Sequence, residues 1–412
     1  MKILIINKFL YPKGGDAMIT LDTGKLLTRN GHEVEYWGMT HPANENFRFK
    51  DYFVRQVDFD KKAGALERLR ISLNLLYSFE AKRKIIKLLK IWKPDVVHLH
   101  NFSHQISPSI LHIFKKQNIQ VVMTMHDYKL VCASYALLSK GKICEKCKSK
   151  KYYQCFLEKC VKNSRPKSLL NTIEMYLHHQ LLHIYDLIDI FISPSKFLKG
   201  KVGEMGFKGK IFHLPNFIAM RQYTQKYDWD DNSIVYFGRL SKEKGLFTLI
   251  EAMKELPNVT LKIIGEGPIK EALGSRVETL GLKNIKFLGY KSGKELNDEI
   301  RKSMFVVLPS EWYENNPRTI IEGFALGKPA IGARIGGIPE LVRDNETGFT
   351  FEPGNVDDLI SKIKELIADP DLIQKMGHGA RRLSEEEFNE EKHYKGLIQV
   401  YENAITKKEV LL

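Results

Sequence analysis

Short runs of aliphatic and β-branched residues, each followed by a loop and then a helical pattern, recur in both halves of this chain. Ile3–Ile6 leads into a loop containing Gly14-Gly15, a helix from about Asp16 to Asn30, a terminating Gly31 and a strand at Glu33–Trp37. That is a β-α-β unit, which implies a parallel strand pair and a right-handed crossover. The second half repeats the theme at Ser233–Phe237, a helix Leu246–Leu256, and strands Val259–Ile264, Ile285–Leu288 and Met304–Leu308. A chain of 412 residues exceeds what one core supports. The expected class is therefore α/β, with two doubly wound, Rossmann-like domains facing across a cleft. Ligands in such sheets gather beyond the carboxyl ends of the strands.

Charge divides the chain unevenly. Residues 1–195 hold 31 Lys and Arg against 17 Asp and Glu, whereas the rest hold 33 against 32, giving +14 and +1 of the net +15. The change near Pro194 places the expected boundary there: residues 1–193 form one domain and 194–390 the other. The last helix, about 391–412, is expected to reach back across the hinge. A basic face suits an anionic membrane surface, a nucleic acid or a phosphorylated substrate. From Ala65 to Trp92 a basic amphipathic segment sets Leu66, Leu69, Leu73, Leu76, Ile85, Leu88, Leu89 and Trp92 at helical spacing beside Arg68, Arg70, Lys82, Arg83, Lys84, Lys87 and Lys90. It fits a bilayer surface and fits equally an ordinary helix packing its apolar side inward. No apolar run approaches the roughly 18–20 residues of a membrane helix. The opening MKILIINKFL reads as a buried strand rather than a signal peptide. The expected location is the cytoplasm, including the inner face of the membrane.

The stretch Ser310–Val342 carries two carboxylates eight positions apart, Glu314 in a loop and Glu322 on a helix. Asn316 reads as the N-cap, Pro317 as the first helical residue, and Gly327 and Pro329 as the stop. A helix N-terminus suits a phosphate, and the acidic groups suit sugar and ribose hydroxyls. Arg239 and Lys244 lie just past a strand end, where two cations can neutralise a diphosphate. Gly265-Glu266-Gly267-Pro268 follows the next strand. In the first half, His100, Asn101 and His126 stand at consecutive strand ends. The Gly14-Gly15 loop precedes a helix, but it is not G-x-G-x-x-G, so phosphate loop and tight turn both fit. Asp228-Trp-Asp230, with no third ligand nearby, reads as a solvated turn.

Four of the five cysteines lie within residues 140–165, as Cys144-x2-Cys147 and Cys155-x4-Cys160. These spacings can place four sulfurs round one structural zinc ion; four free thiols in a loop is the competing reading. Cys132 stands apart.

Taken together, these motifs resemble the retaining glycosyltransferases of family 4, which have the two-Rossmann GT-B fold. The resemblance rests on Gly14-Gly15, the His126-Asp127 pair, Pro215-Asn216, the G-R-L-x-x-x-K-G run through Arg239 and Lys244 to Gly245, Gly265-Glu266-Gly267, and E-x7-E at Glu314 and Glu322. It implies a carboxy-terminal half that binds a UDP- or GDP-sugar and an amino-terminal half that binds a glycan or lipid-linked acceptor. Arg239 and Lys244 would hold the diphosphate, Glu322 the ribose, Glu314 and His126 the donor sugar, and the Gly265–Pro268 turn the base. No cofactor is required for catalysis on this reading. Where many members have a glycine-aromatic-glycine loop, this chain has Asn315-Asn316-Pro317-Arg318, so the donors to sugar and phosphate fall to Asn316, Arg318 or Thr319. Two other classes were weighed. A nucleotide-sugar epimerase can share the fold, and a nucleic-acid-binding protein is suggested by a pI near 9.3 alone, without a recognised binding motif.

Overall fold

The computed structural model describes residues 1–57 and 64–409. The first half builds strands β1 (Lys2–Ile6), β2 (Glu33–Trp37), β3 (Val96–Leu99) and β4 (Gln120–Thr124). A two-stranded hairpin follows, β5 (Leu138–Ser139) and β6 (Lys142–Ile143), then β7 (Ile190–Ser193) and β8 (Ile211–His213). Apart from the hairpin these strands form one parallel sheet in the order β2-β1-β3-β4-β7-β8. The second half builds β9 (Ser233–Phe237), β10 (Thr260–Ile264), β11 (Ile285–Gly289), β12 (Val306–Leu308), β13 (Ala330–Ala333) and β14 (Gly348–Phe351). Their order is β11-β10-β9-β12-β13-β14, again parallel. Strand order reverses between β1 and β3 and between β9 and β12, and those two points are where a crevice opens.

The strands are short aliphatic runs because helices cover both faces of each sheet. Alternation along β1 shows this directly: Leu4 and Ile6 enter a core with Val97, Leu99, Phe114 and Trp92, while Ile3 and Ile5 enter another with Val96, Leu397, Val400 and Tyr401. The last three belong to the terminal helix Glu390–Glu409, which leaves the second unit and lies on the first sheet. It is fastened there by Tyr401 Oη with His98 Nδ1 at 2.8 Å, Arg29 with Glu390 at 2.7 Å and His32 with Tyr394 at 2.9 Å.

Two sequence expectations change. The division at residue 194 falls one helix and one strand too early, because β8 pairs with β7 through Phe191–Ile211, Ile192–Phe212 and Ser193–His213. Charge is a surface property and does not mark where a sheet ends. The basic segment Ala65–Trp92 is two helices, Ala65–Leu76 and Phe79–Ile91, split at Ser78, whose hydroxyl caps the second. The second helix buries Ala81, Ile85 and Leu88, with Trp92 beyond it, and exposes Arg83, Lys87 and Lys90. Its apolar side therefore packs inward, as an ordinary domain helix does. The side chains of Leu66, Arg68 and Leu69 lie outside the described residues. Among the described residues no helix is long and apolar enough to cross a membrane.

Candidate active site

The second-unit half of the site is built where β9 and β12 part. Past β9 the chain runs through Arg239 into a 3-10 turn, Lys242–Lys244. Gly245 ends that turn at φ +68°, and a Cβ there would stand 1.8 Å from the Pro309 carbonyl oxygen. Only glycine lets the turn lie against the end of β12. The consequence is that Lys244 Nζ reaches Glu314 Oε1 at 2.6 Å, and the Ser310 hydroxyl donates to the same oxygen at 2.6 Å. Glu314 is 5% exposed. Burial pushes its carboxyl up, but the Lys244 ammonium and the Ser310 hydroxyl outweigh that and hold it below the ordinary range. Arg239 stays exposed. Its loop is tied to the Gly265-Glu266-Gly267 turn by the Leu240 N–H donating to the Glu266 carbonyl at 3.0 Å. The Glu266 carboxylate pairs with Lys270 at 2.7 Å on the surface.

The helix carrying Glu322 spans Arg318–Ala325 and begins one residue later than the sequence implied. Pro317 occupies the cap with an extended ψ of 110°, and its carbonyl accepts from the Ile320 N–H at 3.1 Å. Asn316 does not cap the helix; its side-chain oxygen accepts from the Asn216 N–H at 3.1 Å. Arg318 Nε donates to Glu322 Oε1 at 2.6 Å, and its Nη1 donates to Asp22 Oδ2, in the first unit's helix Gly15–Arg29, at 2.9 Å. Tyr223 Oη donates a second bond to Glu322 Oε1 at 3.1 Å. Burial pushes the Arg318 guanidinium down, but Glu322 leads the groups that raise it overall. Thr319 donates through its hydroxyl to the Phe237 carbonyl at 3.3 Å. First-turn N–H groups have no intrahelical partner, and those of Arg318 and Thr319 fall between the two glutamates.

On the first unit, β3 and β4 end on His100, Asn101 and His126. His100 Nδ1 lies 2.9 Å from His126 Nε2, with the rings stacked at 5.2 Å. Burial lowers the pKa of both, so each holds its neutral form more firmly than a free imidazole. Asn101 Nδ2 donates to Asp16 Oδ2 at 2.9 Å. Gly14 is extended, at φ 177°, and a Cβ on Gly15 would meet nothing within 4 Å. The pair is thus no tight turn; it leaves the start of helix Gly15–Arg29 bare of side chains. Burial pushes the Lys8 ammonium down, while the charges of Asp127 and Asp16 nearby oppose that shift.

The two halves are stitched beside Glu314 and His126. Tyr128 Oη donates to the Tyr313 carbonyl at 3.1 Å, and Asn315 Nδ2 donates to the Met125 carbonyl at 3.1 Å. Asn315 Oδ1 also accepts from the Ser195 hydroxyl at 2.8 Å. Tyr313 Oη donates to Glu145 at 2.8 Å, which brings the cysteine-bearing insertion against the second unit. Tyr135, half-exposed at φ +59°, feels both Asp127 of the first unit and Arg239 of the second.

The zinc expectation does not fit. Among the described residues no group of three or more His, Cys, Asp or Glu is arranged to hold a metal ion. Cys147 and Cys155 are buried with the first unit's core. Burial pushes the Cys147 thiol up to about 12, and the neighbouring sulfurs of Cys132, Cys160 and Cys144 add to that shift. Cys155 is paired by hydrogen bond with Cys160, which raises the first and lowers the second.

Sequence reading did not find Asp22, Ser310, Tyr223, Tyr128 or Tyr313. The Arg318–Glu322 pair was available as an i, i+4 spacing; the others converge only through the fold.

Two parallel, doubly wound sheets of this strand order, one in each half, are the architecture of the GT-B glycosyltransferases. The pattern of "Glycosyltransferase Family 4" matches residues 13–222, and that of "Glycosyl transferases group 1" matches residues 221–383. The chain belongs to glycosyltransferase family 4. It is 27% identical over 402 residues to an uncharacterised glycosyltransferase of Methanocaldococcus jannaschii, with 98% of each chain covered. Sucrose-phosphate synthase of Thermosynechococcus elongatus superposes with a TM-score of 0.75 at 18% identity, over 98% of this chain and 99% of that one. HepE of Anabaena, solved with UDP and glucose, superposes with a TM-score of 0.68 at 16% identity, over 98% and 100%.

Proposed function

We propose that this protein moves a sugar, with retention of configuration, from a UDP- or GDP-type donor to a glycan or lipid-linked acceptor during synthesis of a bacterial-type surface glycan. The second unit takes the donor and the first the acceptor. The observation that carries this reading is the Lys244–Glu314 pair at 2.6 Å, set at the β9/β12 switch point on the loop that bonds to the residues beside His126. UDP in the HepE structure favours the uridine donor.

Departure of a nucleoside diphosphate builds negative charge on its outer phosphate. Fixed cations and helix N–H groups stabilise such charge without reorganising. Arg239 and Lys244 supply the cations, and the first turn of Arg318–Ala325 the N–H groups. Glu314, ionised by its neighbours, accepts from sugar hydroxyls and fixes the sugar relative to the phosphate. Glu322, oriented by Arg318 and Tyr223, accepts from the ribose. His126, neutral and braced by His100, contacts the sugar from the other side. The leaving phosphate helps remove the acceptor's proton, so no second carboxylate is needed as nucleophile. Divalent metal is not required, because the counter-charge is protein-borne.

A thermal-shift screen over UDP-, GDP-, ADP- and dTDP-sugars tests the donor, since binding raises the stability of the folded state. Stabilisation by a UDP- or GDP-sugar is expected, as is transfer that survives EDTA. Absence of any shift, or conversion of the nucleotide sugar to an epimer without acceptor, would remove the reading.

A further inference from the structure

The helix Arg165–Tyr176, continued as a π turn over Leu177–Leu181, has its polarity reversed. It buries Ser168, Asn171, Thr172 and Glu174, and exposes Leu169 (43%), Ile173 (46%) and Leu181 (74%). The polar side is held inward by specific bonds. Glu174 takes the Lys129 ammonium at 2.6 Å, Asn171 donates to the Ala133 carbonyl at 3.1 Å, and Thr172 donates to the Tyr152 carbonyl at 3.3 Å. Rotating the helix to hide its leucines would strand the Lys129–Glu174 pair, so the outward apolar side is built into the fold.

Neighbouring elements extend the patch. Tyr152 and Tyr176 bring the helix Tyr153–Glu158 against this one, and that helix exposes Tyr153 and Leu157. His178 Nε2 meets the Leu76 carbonyl at 2.7 Å, joining the end of helix Ala65–Leu76, which exposes Leu73. Exposed Arg165 and Lys167 lie in the first turn of Arg165–Tyr176, and exposed Lys148, Lys150 and Lys151 lie on and just past the 3-10 turn Lys148–Lys150 that precedes helix Tyr153–Glu158. Among the described residues, nine of the ten exposed large apolar side chains belong to the first unit, the exception being Tyr290. The same unit carries nearly all the net positive charge.

We propose that the outward side of Arg165–Leu181, with Leu73, Tyr153 and Leu157, is the surface by which this protein seats on an anionic lipid bilayer. Leucine and isoleucine beside Arg165 and Lys167, on the unit that carries the net positive charge, match the acyl and headgroup layers of such a membrane. A protein partner fits less well, because lysine is depleted from protein interfaces. The proposal deepens the lipid-linked acceptor reading above and rests on it for its purpose, but its occurrence is measured apart from sugar transfer.

The test is flotation of the full chain with phosphatidylcholine vesicles, with and without phosphatidylglycerol. The wild type should float with the mixed vesicles at low salt and release as salt rises. The variant L169E/I173E/L181E should lose binding by about tenfold or more, with its melting temperature and its response to UDP unchanged. Leu181→Glu alone, at the most exposed of the three sites, keeps the test valid should the triple variant misfold. F79E, on the other helix, should float like the wild type. Failure of the wild type to float, flotation of both L181E and the triple variant at wild-type levels, or a wild-type dimer by light scattering that these substitutions dissolve would each overturn the proposal.

Discussion

The Asn315 side-chain amide donates to the Met125 carbonyl across 3.1 Å, joining the residue after Glu314 to the residue before His126. With Tyr128 Oη on the Tyr313 carbonyl, the two bonds bracket Glu314 and His126, the side chains proposed to meet the donor sugar, and tie the two domains together beside them. Asn315 and Asn316 open the loop that follows Glu314. Here their side chains hold the hinge. Asn315→Ala should therefore lower kcat/KM by about tenfold, the equivalent of one or two hydrogen bonds, while shifting the melting temperature by only a few degrees. Steady-state kinetics beside a thermal melt reads both; a large loss of stability with unchanged kinetics would refute the bracket.

Lys244 and Glu314 are coupled. Glu314's pKa is held down in the folded state, so its contribution is present above the ordinary carboxyl range and is lost as pH falls through the lowered value. Lys244→Ala leaves a buried carboxylate unpaired, a loss of about 3 kcal/mol at neutral pH. Its folded pKa then rises, so acidification relieves the defect and the gap to wild type closes. Melting curves of both proteins from neutral pH towards pH 4.5 check this; parallel curves would contradict it. Glu314→Gln, by contrast, keeps a neutral side chain in place and should lose transfer with the fold intact.

Arg318 answers to two carboxylates, one in each unit. Asp22→Ala removes the inter-unit contact from a partly exposed pair, which is worth no more than about 1 kcal/mol. Arg318→Ala also frees Glu322 from its orientation. UDP affinity measured by calorimetry should drop about tenfold in Arg318→Ala, on the scale of a lost charge-assisted bond, and by much less in Asp22→Ala. Equal losses would show that the inter-unit contact, rather than the orientation of Glu322, governs nucleotide binding.

Buried histidines make the protein acid-sensitive. Burial pushes His98 and His179 down to about 3 and His393 to about 4. The unfolded chain takes up protons near pH 6.5 and the folded one does not, so stability is full above that pH and falls as pH drops toward the folded values. At pH 5 each such histidine has lost on the order of 1–2 kcal/mol. Melting temperature should decline between pH 6.5 and 5, ahead of carboxylate titration. A flat profile over that interval would exclude it.

Much of this was legible because parallel sheets are written as continuous aliphatic runs, and because Arg239, Lys244, Glu314 and Glu322 follow strand ends in fixed order. What was not legible depends on which way a side chain turns. Asn316 has the chemistry of an N-cap, yet Pro317's extended backbone sends it to Asn216 instead. The helix Arg165–Tyr176 has an apolar stripe, and periodicity alone takes such a stripe for the buried side. Cysteine spacing allows a metal site, but says nothing of how the fold sets the sulfurs, and among the described residues no metal-holding group is formed. The charge step at Pro194 marks a change of surface, one strand before the sheet is complete.

The terminal helix Glu390–Glu409 has a consequence for synthesis. Leu397, Val400, Tyr401 and Ala404 cover Ile3, Ile5, Val96 and Val122 on one side of the first sheet. The strand Lys2–Ile6 leaves the ribosome long before the helix that covers it. The amino-terminal unit cannot close that core while the chain is still being made, however early its own sheet assembles. Nascent chains released short of Leu397 should thus expose an aliphatic sheet face to chaperones, and the two units become folded proteins together.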